Sequence, residues 1–335
     1  MTSYLKGKTI LITGGTGSIG QAIAKRALSD GASLVKIFSN DENGQYDMEI
    51  EFRQNKRLVF IIGDIRDEER VNYIVKGVDI IFHTAALKHV DRCEYNPFEA
   101  IAVNILGTKN VILAALAEKV KKVISISTDK AVNPVSVMGG TKLLAEKMIS
   151  AETFLQNSTT IFSSVRFGNV LNTRGSIIPR IEKQIMNGGP ITLTDKRMKR
   201  FFMSQEDAVH LIISAAELAK GGETFVLKMP LILLDDLFES MKQLLAPRYG
   251  FDATQIKTKI IGMKSGEKLI EELLTDFEMD RVFETKDFYI IPPQLDISTK
   301  NSYPRAKKSQ NIRKHFKDMK PLKRSQVLKL LKKVY

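Results

Sequence analysis

KTILITGGTGSIGQAIAKRA, residues 8–27, sets a β-branched apolar run against a glycine turn and then an amphipathic helical pattern. The apolar run suits a buried strand. Gly14 permits the tight turn that follows, Gly17 lets main chain approach a pyrophosphate, and Gly20 allows the helix to pack closely on the strand. The helix then opens with unpaired N–H groups and a favourable dipole, which together attract phosphate. A glycine triplet alone is a weak sign. In strand–loop–helix order, Gly14, Thr16, Gly17, Ser18, Ile19 and Gly20 are expected to cradle a dinucleotide.

Outward from this loop, residues 1–170 alternate short apolar runs with amphipathic stretches. KTILIT, SLVKIFS, RLVFIIG, VDIIFH, KKVISIS and TIFSSVRF read as strands, and helical patterns fall at about 18–30, 67–76, 97–118 and 138–156. That rhythm predicts an α/β fold, a doubly wound parallel (Rossmann) sheet covered on both faces. Past Phe167 the rhythm loosens. GSIIPRIEKQIMNGG, SQEDAVHLIISAAELAK, DDLFESMKQLL and GEKLIEELL are expected as helices and ETFVLKM as a strand. The organisation expected is a dinucleotide-binding domain over 1–170, a smaller mixed α/β substrate-binding region over 171–295, and a basic C-terminal tail over 296–335. The middle region should cap the carboxyl side of the sheet.

With 335 residues, 43% hydrophobic and 27% charged, the chain has the material for one large core with an appendage. Its net charge of +13 would suggest nucleic acid, but thirteen Lys and Arg against Asp318 alone lie between Lys300 and Tyr335, leaving +1 for the rest. Such a tail could touch an anionic membrane surface or nucleic acid. The reading preferred is that SQVLKLLKKVY is a helix that buries its leucines and solvates its lysines. No nucleic-acid partner is expected. No run of 18 apolar residues is present to span a membrane, and MTSYLKGKTILITGG lacks a signal-peptide pattern, so a cytoplasmic location is expected. A single cysteine, Cys93, excludes an internal disulfide. His83, His89, His210 and His315 lack metal-like spacing, and no metal is expected.

The second strand closes on Phe38-Ser39-Asn40-Asp41-Glu42. An acid directly at a strand end would accept both ribose hydroxyls and favour NAD. Ser39 and Asn40 stand there instead and leave room for a 2′-phosphate, so NADP is expected, with NAD the alternative. Asp64 and Ile65 follow the third strand, where an adenine amino group would lie; Asp64 is equally placed to cap the next helix.

TAALKHVDRCEYNPFEAIAVNILGTKNV (84–111), STDKAVNP (127–134) and VRFGNVLNTRGSIIP (165–179) resemble the UDP-N-acetylglucosamine 4,6-dehydratases. These are extended short-chain dehydrogenase/reductases of capsule, O-antigen and flagellin sugar pathways. ITLTDKRMKRFFMSQEDAV (191–209) and GEKLIEELLT (266–275) resemble the same family, so the likeness covers residues 8–275. It implies a UDP-sugar substrate, a nicotinamide cofactor and a homo-oligomer, often a hexamer. Most short-chain dehydrogenases place Tyr-x-x-x-Lys on the helix after the fifth strand, where i, i+4 spacing puts both side chains on one face. Here the motif is Met138-Gly139-Gly140-Thr141-Lys142, and methionine cannot exchange a proton. A subset of the resembled family shares this Met-x-x-x-Lys, which moves the acid–base work to Asp129 and Lys130.

In that family's reaction hydride leaves C4 for the cofactor, the 4-ketone acidifies C5, water is lost across C5 and C6, and the hydride returns to C6. The resemblance implies Lys130 as the C5 base, Asp129 as the acid for the departing water, Thr128 near O4, and Lys142 at the nicotinamide ribose. A lysine base needs a lowered pKa, expected here from Lys142 and the nicotinamide. Ala85, Ala86, Lys88 and Asn104 are expected near the cofactor. Lys88, Asn169, Ser176, Arg200 and Glu267 are expected near the sugar nucleotide, Arg200 on its phosphates. Asn104, a poor helix former in mid-helix, is expected to anchor backbone near the site. Plainer readings stand beside all of these: a surface ion pair for Asp129–Lys130, a loop lysine for Lys88, a solvent-facing Asn104, and a solvated basic loop over 195–200. A UDP-sugar epimerase, or a dehydratase that inverts C5, fits much of the same pattern. A non-catalytic NAD(P)-sensing protein fits the missing tyrosine but has no use for Asp129, Lys130 and Lys142 together.

Overall fold

The computed structural model describes residues 3–53, 55–155, 159–294, 303 and 306–335. Six strands, β1 (Thr9–Thr13), β2 (Leu34–Ser39), β3 (Leu58–Ile62), β4 (Ile80–His83), β5 (Lys122–Thr128) and β6 (Ile161–Phe167), lie parallel in the order β3-β2-β1-β4-β5-β6. Each was expected to within two residues. Side chains alternate between the faces as a pleated strand requires: Ile10 and Ile12 enter one apolar layer and Leu11 the other. Both layers are covered by helices, so the strands read as near-continuous apolar runs. The chain order turns outward on either side of β1 and β4, which opens a crevice at their carboxyl ends.

The covering helices are α1 (Ser18–Ser29), α2 (Glu42–Glu51), α3 (Glu68–Val75), α4 (Val90–Tyr95), α5 (Pro97–Ile101), α6 (Gly107–Ala117) and α7 (Val137–Leu155). The expected end of α7 at 156 lies outside the described residues. α2 and α4 were not anticipated. ENGQYDMEIE has almost no apolar stripe; Met48 anchors it and Asp41 caps it, accepting from the Gly44 amide at 3.0 Å. The run expected over 97–118 is interrupted by a π-helical turn, Ala102–Leu106. By length and composition alone Pro97–Ala117 is long and apolar enough to cross a membrane, yet half of its most apolar window is buried inside the protein.

After β6 come β7 (Asn169–Val170), α8 (Ile177–Met186), β8 (Ile191–Leu193), β9 (Lys199–Met203), α9 (Gln205–Leu218), β10 (Thr224–Leu227), β11 (Leu231–Leu233) and α10 (Leu234–Leu245). β12 (Thr258–Ile260), α11 (Asp276–Met279), β13 (Phe283–Glu284), β14 (Phe288–Ile291), β15 (Lys307–Lys308), α12 (Ile312–Asp318) and α13 (Arg324–Leu331) complete the chain. β10 extends the large sheet parallel to β6, and β14, β13 and β15 continue it to ten strands. α8, α10 and α13 close a second core around Ile178, Ile181, Leu237, Phe238, Val327 and Leu331. The tail helix therefore docks by its apolar stripe.

One expected helix is absent. GEKLIEELL is irregular rather than helical: the Leu269 carbonyl accepts from the Lys199 amide at 3.0 Å and Ile270 forms an isolated bridge with Lys199. Gly266 at φ +77 sets off this segment, and helix resumes only at α11, where Thr275 and Glu278 form a capping box. Pairing with β9 has overridden the local propensity.

Candidate active site

A cavity of about 620 Å³ opens at the carboxyl ends of β1, β2, β4 and β5. Its floor is the glycine loop. Gly14 sits at φ +65, and a Cβ there would lie 2.7 Å from the Ala85 main chain. A Cβ on Gly20 would lie 2.6 Å from Gly15, so α1 is pressed onto the loop. Gly17 caps α1 without any side-chain cap, which leaves the first-turn N–H groups for an anion. These features fit a dinucleotide diphosphate. At the β2 end Thr16 and Ser39 hydroxyls lie 2.9 Å apart, and Asn40 donates to Asp64 at 3.2 Å. Asp64 does not cap the next helix; it holds Arg66, and Asp67 caps α3. The Arg66 hydrogen bond keeps the Asp64 carboxyl below its ordinary range.

The wall above this floor is fixed from behind. Asn104, in the π-helical turn and 1% exposed, accepts from the Leu87 amide at 2.8 Å and donates to its carbonyl at 3.0 Å. It does not face solvent. It pins the 85–88 strip, whose Ala85, Ala86 and Lys88 line the cavity. His83 is held between Thr13 at 2.7 Å and Thr108 at 3.0 Å. Burial, aided by Lys142, pushes its pKa down to about 3, so it is a neutral tie between β4 and α6. Lys88 donates to the Arg174 carbonyl at 2.6 Å, and the Arg174 amide donates to Ser18 at 2.9 Å. The 173–176 segment thus reaches over the glycine loop, a contact the sequence did not reveal.

The reactive end lies where β5 stops. Thr128 and Lys130 line the cavity, while Asp129 is fully buried behind them. Asp129 Oδ1 accepts from the Thr128 hydroxyl at 2.9 Å and from Lys130 Nζ at 3.0 Å. Its Oδ2 has no hydrogen-bond partner among the described residues. This is not a surface ion pair. Met138 and Lys142 face the same cavity from one side of α7, and Lys142 donates to the Ile126 carbonyl at 2.6 Å. Burial brings the Lys142 pKa down to about 8. For Lys130 the outcome is the reverse of the expectation. Burial lowers its pKa, but the charges of Asp129 and Glu271 outweigh burial and leave it above the ordinary value. Ser127 and Ser176, both at the cavity, carry buried hydroxyls without partners among the described residues.

Asn169 lines the cavity and donates to the Phe201 carbonyl at 3.2 Å. Two expected substrate residues do not reach it. Arg200 is buried rather than solvated: it donates to the carbonyls of Lys199 at 2.8 Å, Lys268 at 2.8 Å and Leu269 at 3.2 Å, holding the 266–275 segment in place. Glu267 accepts from the Lys264 amide of its own loop. The acid that approaches Lys130 is Glu271, 3.5 Å away, four residues farther along the same segment. Behind α7, Arg166 is 1% exposed and grips Glu146 at 2.6 Å and Glu278 at 2.9 Å, tying β6 to α7 and α11. Among the described residues, no group of three His, Cys, Asp or Glu side chains could hold a metal ion.

Residues 10–293 match the family of polysaccharide biosynthesis proteins. Over 335 residues the chain is 46% identical to an uncharacterized membrane protein of Methanocaldococcus jannaschii, covering 100% of this chain and 98% of that one. An inverting UDP-N-acetylglucosamine 4,6-dehydratase of Campylobacter jejuni is 40% identical over 88% of this chain and 86% of its own. A UDP-glucose 4-epimerase of Rickettsia rickettsii is 41% identical over 85% and 83% respectively. Among solved structures, Pen from Bacillus thuringiensis matches with a TM-score of 0.90 and 42% identity over 98% of both chains. A dTDP-glucose 4,6-dehydratase from Streptomyces venezuelae, solved with NAD bound, matches with a TM-score of 0.70 and 21% identity over 79% of this chain and 88% of its own. It shares the fold.

Proposed function

The chain belongs to the polysaccharide biosynthesis protein family of extended short-chain dehydrogenase/reductases, and on that premise we propose that it is a UDP-N-acetylglucosamine 4,6-dehydratase making a UDP-4-keto-6-deoxy sugar for surface glycans. The observation that carries this reading is the Asp129–Lys130 pair beside the cavity that Met138 also lines. Oxidation at C4, common to an epimerase and a dehydratase, requires a group that takes the O4 proton; methionine cannot, and the Thr128 hydroxyl held by Asp129 would relay it. Elimination across C5 and C6 requires a base and an acid on adjacent carbons, which an amine and a carboxyl 3.0 Å apart can supply.

A nicotinamide cofactor, when bound, supplies transient oxidation at C4 and returns the same reducing equivalent to C6, so none is consumed. The loop from Gly14 to Gly20 would take its diphosphate, Lys142 its ribose, and Ser39, Asn40, Asp64 and Ile65 its adenosine end. NADP is the form proposed, because no acid ends β2. Lys130 in its neutral form removes the C5 proton. Asp129 supplies the proton for the departing water through the Thr128 hydroxyl that it holds. The protons balance if Asp129, as the carboxylate, first takes the O4 proton through Thr128 as C4 is oxidised and then gives it to the departing C6 hydroxyl. Neutral Lys130 takes the C5 proton and returns it to C5 when C6 is reduced, so that both groups end as they began. Ser127, Lys88, Asn169 and Ser176 would contact the sugar nucleotide, while Arg200 ties down the 266–275 segment that carries Glu271.

A second reading, a UDP-sugar 4-epimerase, is favoured by the 41% identity to enzymes of that name. The test is incubation with UDP-N-acetylglucosamine in deuterated water, followed by mass spectrometry and proton NMR. Loss of one water without added reductant, with deuterium at C5, supports the dehydratase, and the C5 couplings then report retention or inversion. A product of unchanged mass inverted at C4 supports the epimerase. Bound cofactor without turnover or sugar-nucleotide binding would mean a chain without chemistry. The protein is further proposed to be a cytoplasmic homo-oligomer, in which a second copy covers the exposed Tyr95, Phe98, Leu106 and Leu113 of α4 to α6.

A further inference from the structure

Glu271 lies within the 266–275 motif but has no part in the chemistry just described. It is 4% exposed; its Oε1 lies 3.5 Å from Lys130 Nζ and 3.7 Å from Arg200 Nε. Its Oε2 is buried without a hydrogen-bond partner among the described residues. Such a carboxylate is costly to bury unless cations face it. Here both cations belong to the site. Lys130 is consequently held between two carboxylates from segments far apart in the chain: Asp129 at the end of β5 and Glu271 on the 266–275 segment.

We infer that Glu271 is a positioning residue for Lys130, holding its amine at the cavity wall as an ammonium and setting the pH at which it becomes a base. The catalytic meaning of this inference rests on Lys130 being the C5 base; its electrostatic content does not. The charged groups around the amine are Asp129, Glu271 and Arg200, with Lys142 on the α7 side of the cavity. Lys268 is turned away, donating to the Val132 carbonyl, and Glu272 is engaged by Asn133 and Lys268. In the reaction the neutral amine's lone pair takes the C5 proton, and the C–H electrons pass into the enolate of the C4 ketone. Only the deprotonated fraction of Lys130 can do this. Removing the negative charge of Glu271 therefore makes the amine available at lower pH.

The experiment compares wild type, Glu271→Gln and Glu271→Asp by two readouts. The first needs no substrate: competitive acylation by acetic anhydride across pH, with Lys130 followed by peptide mass spectrometry. The midpoint for Lys130 is expected to fall by about one pH unit or more in Glu271→Gln, the size of effect an opposite charge at this range exerts, and to return toward wild type in Glu271→Asp. The second is the pH dependence of C5 deuterium exchange in UDP-N-acetylglucosamine, whose acid limb should move the same way. An unmoved Lys130 midpoint in a folded Glu271→Gln protein overturns the inference, whatever happens to turnover. A shifted midpoint with no exchange in wild type supports the coupling and sinks the dehydratase reading instead.

Discussion

Lys130 and Lys142 line one cavity, and burial acts against the charge of both. Lys142 has little to offset it and titrates at about 8, whereas Asp129 and Glu271 keep Lys130 above its ordinary value. The two amines therefore suit different tasks. In the free protein Lys142 is a cation below about 8 and neutral above. Affinity for NADP is expected to weaken as pH rises through that value, and calorimetric titrations of Lys142→Met should show the dependence gone. For stability the sign is the opposite of a salt bridge: between about 8 and the ordinary lysine value the unfolded chain holds more protons, so Lys142 adds stability as pH rises. Lys130→Met is expected to cut turnover by about 10²–10⁴-fold and to abolish C5 exchange, while NADP binding survives. Intact exchange in that variant would remove Lys130 from the chemistry. The sequence named Asp129, Lys130, Met138 and Lys142 because they sit in two short motifs. It could not name Glu271, since Glu271 and Glu272 are adjacent acids of one type. Only packing turns the first toward Lys130 and leaves the second half-exposed.

At the scale of elements, two joints hold the cavity together. Arg166 links β6, α7 and α11 through Glu146 and Glu278, all within the interior. Arg166→Met would leave two carboxylates buried and unpaired, and a loss of about 3–5 kcal/mol in urea unfolding is expected. Because α7 carries Met138 and Lys142, the same variant should weaken NADP binding; unchanged stability would show that the carboxylates find water or other partners. The second joint is α13, whose Val327 and Leu331 are fully buried against α10. Leu331→Ala is expected to cost about 2–5 kcal/mol, measured by the same unfolding transition. A solvated tail would lose nothing. That α13 is a helix follows from its apolar spacing, but its docking place does not. GEKLIEELL carries an equally good helical spacing and is not helical, because β9 and Arg200 take its backbone groups.

For the whole molecule, the helical run from Pro97 to Ala117 poses a choice between lipid and a second copy of the chain. Its outward Phe98 is 83% exposed and the neighbouring Tyr95 86%. Covering by another copy predicts that Phe98→Glu lowers the mass measured by analytical ultracentrifugation without unfolding the protein. A monomer in both forms would refute self-association through this face. The sequence by itself determined the glycine loop, the six parallel strands and the acid, amine and methionine at the β5 and α7 positions. Each is written in a local pattern: turn glycines, continuous apolar strands, or residues one helical turn apart. Tertiary structure alone decided that the main chain Asn104 anchors is that of Leu87, that Arg200 ties down the 266–275 segment instead of lining the cavity, and that Lys130 is pushed up. Those outcomes depend on Coulomb interactions, desolvation and backbone pairing between segments as far apart as Lys130 and Glu271, and no local pattern encodes which segment arrives.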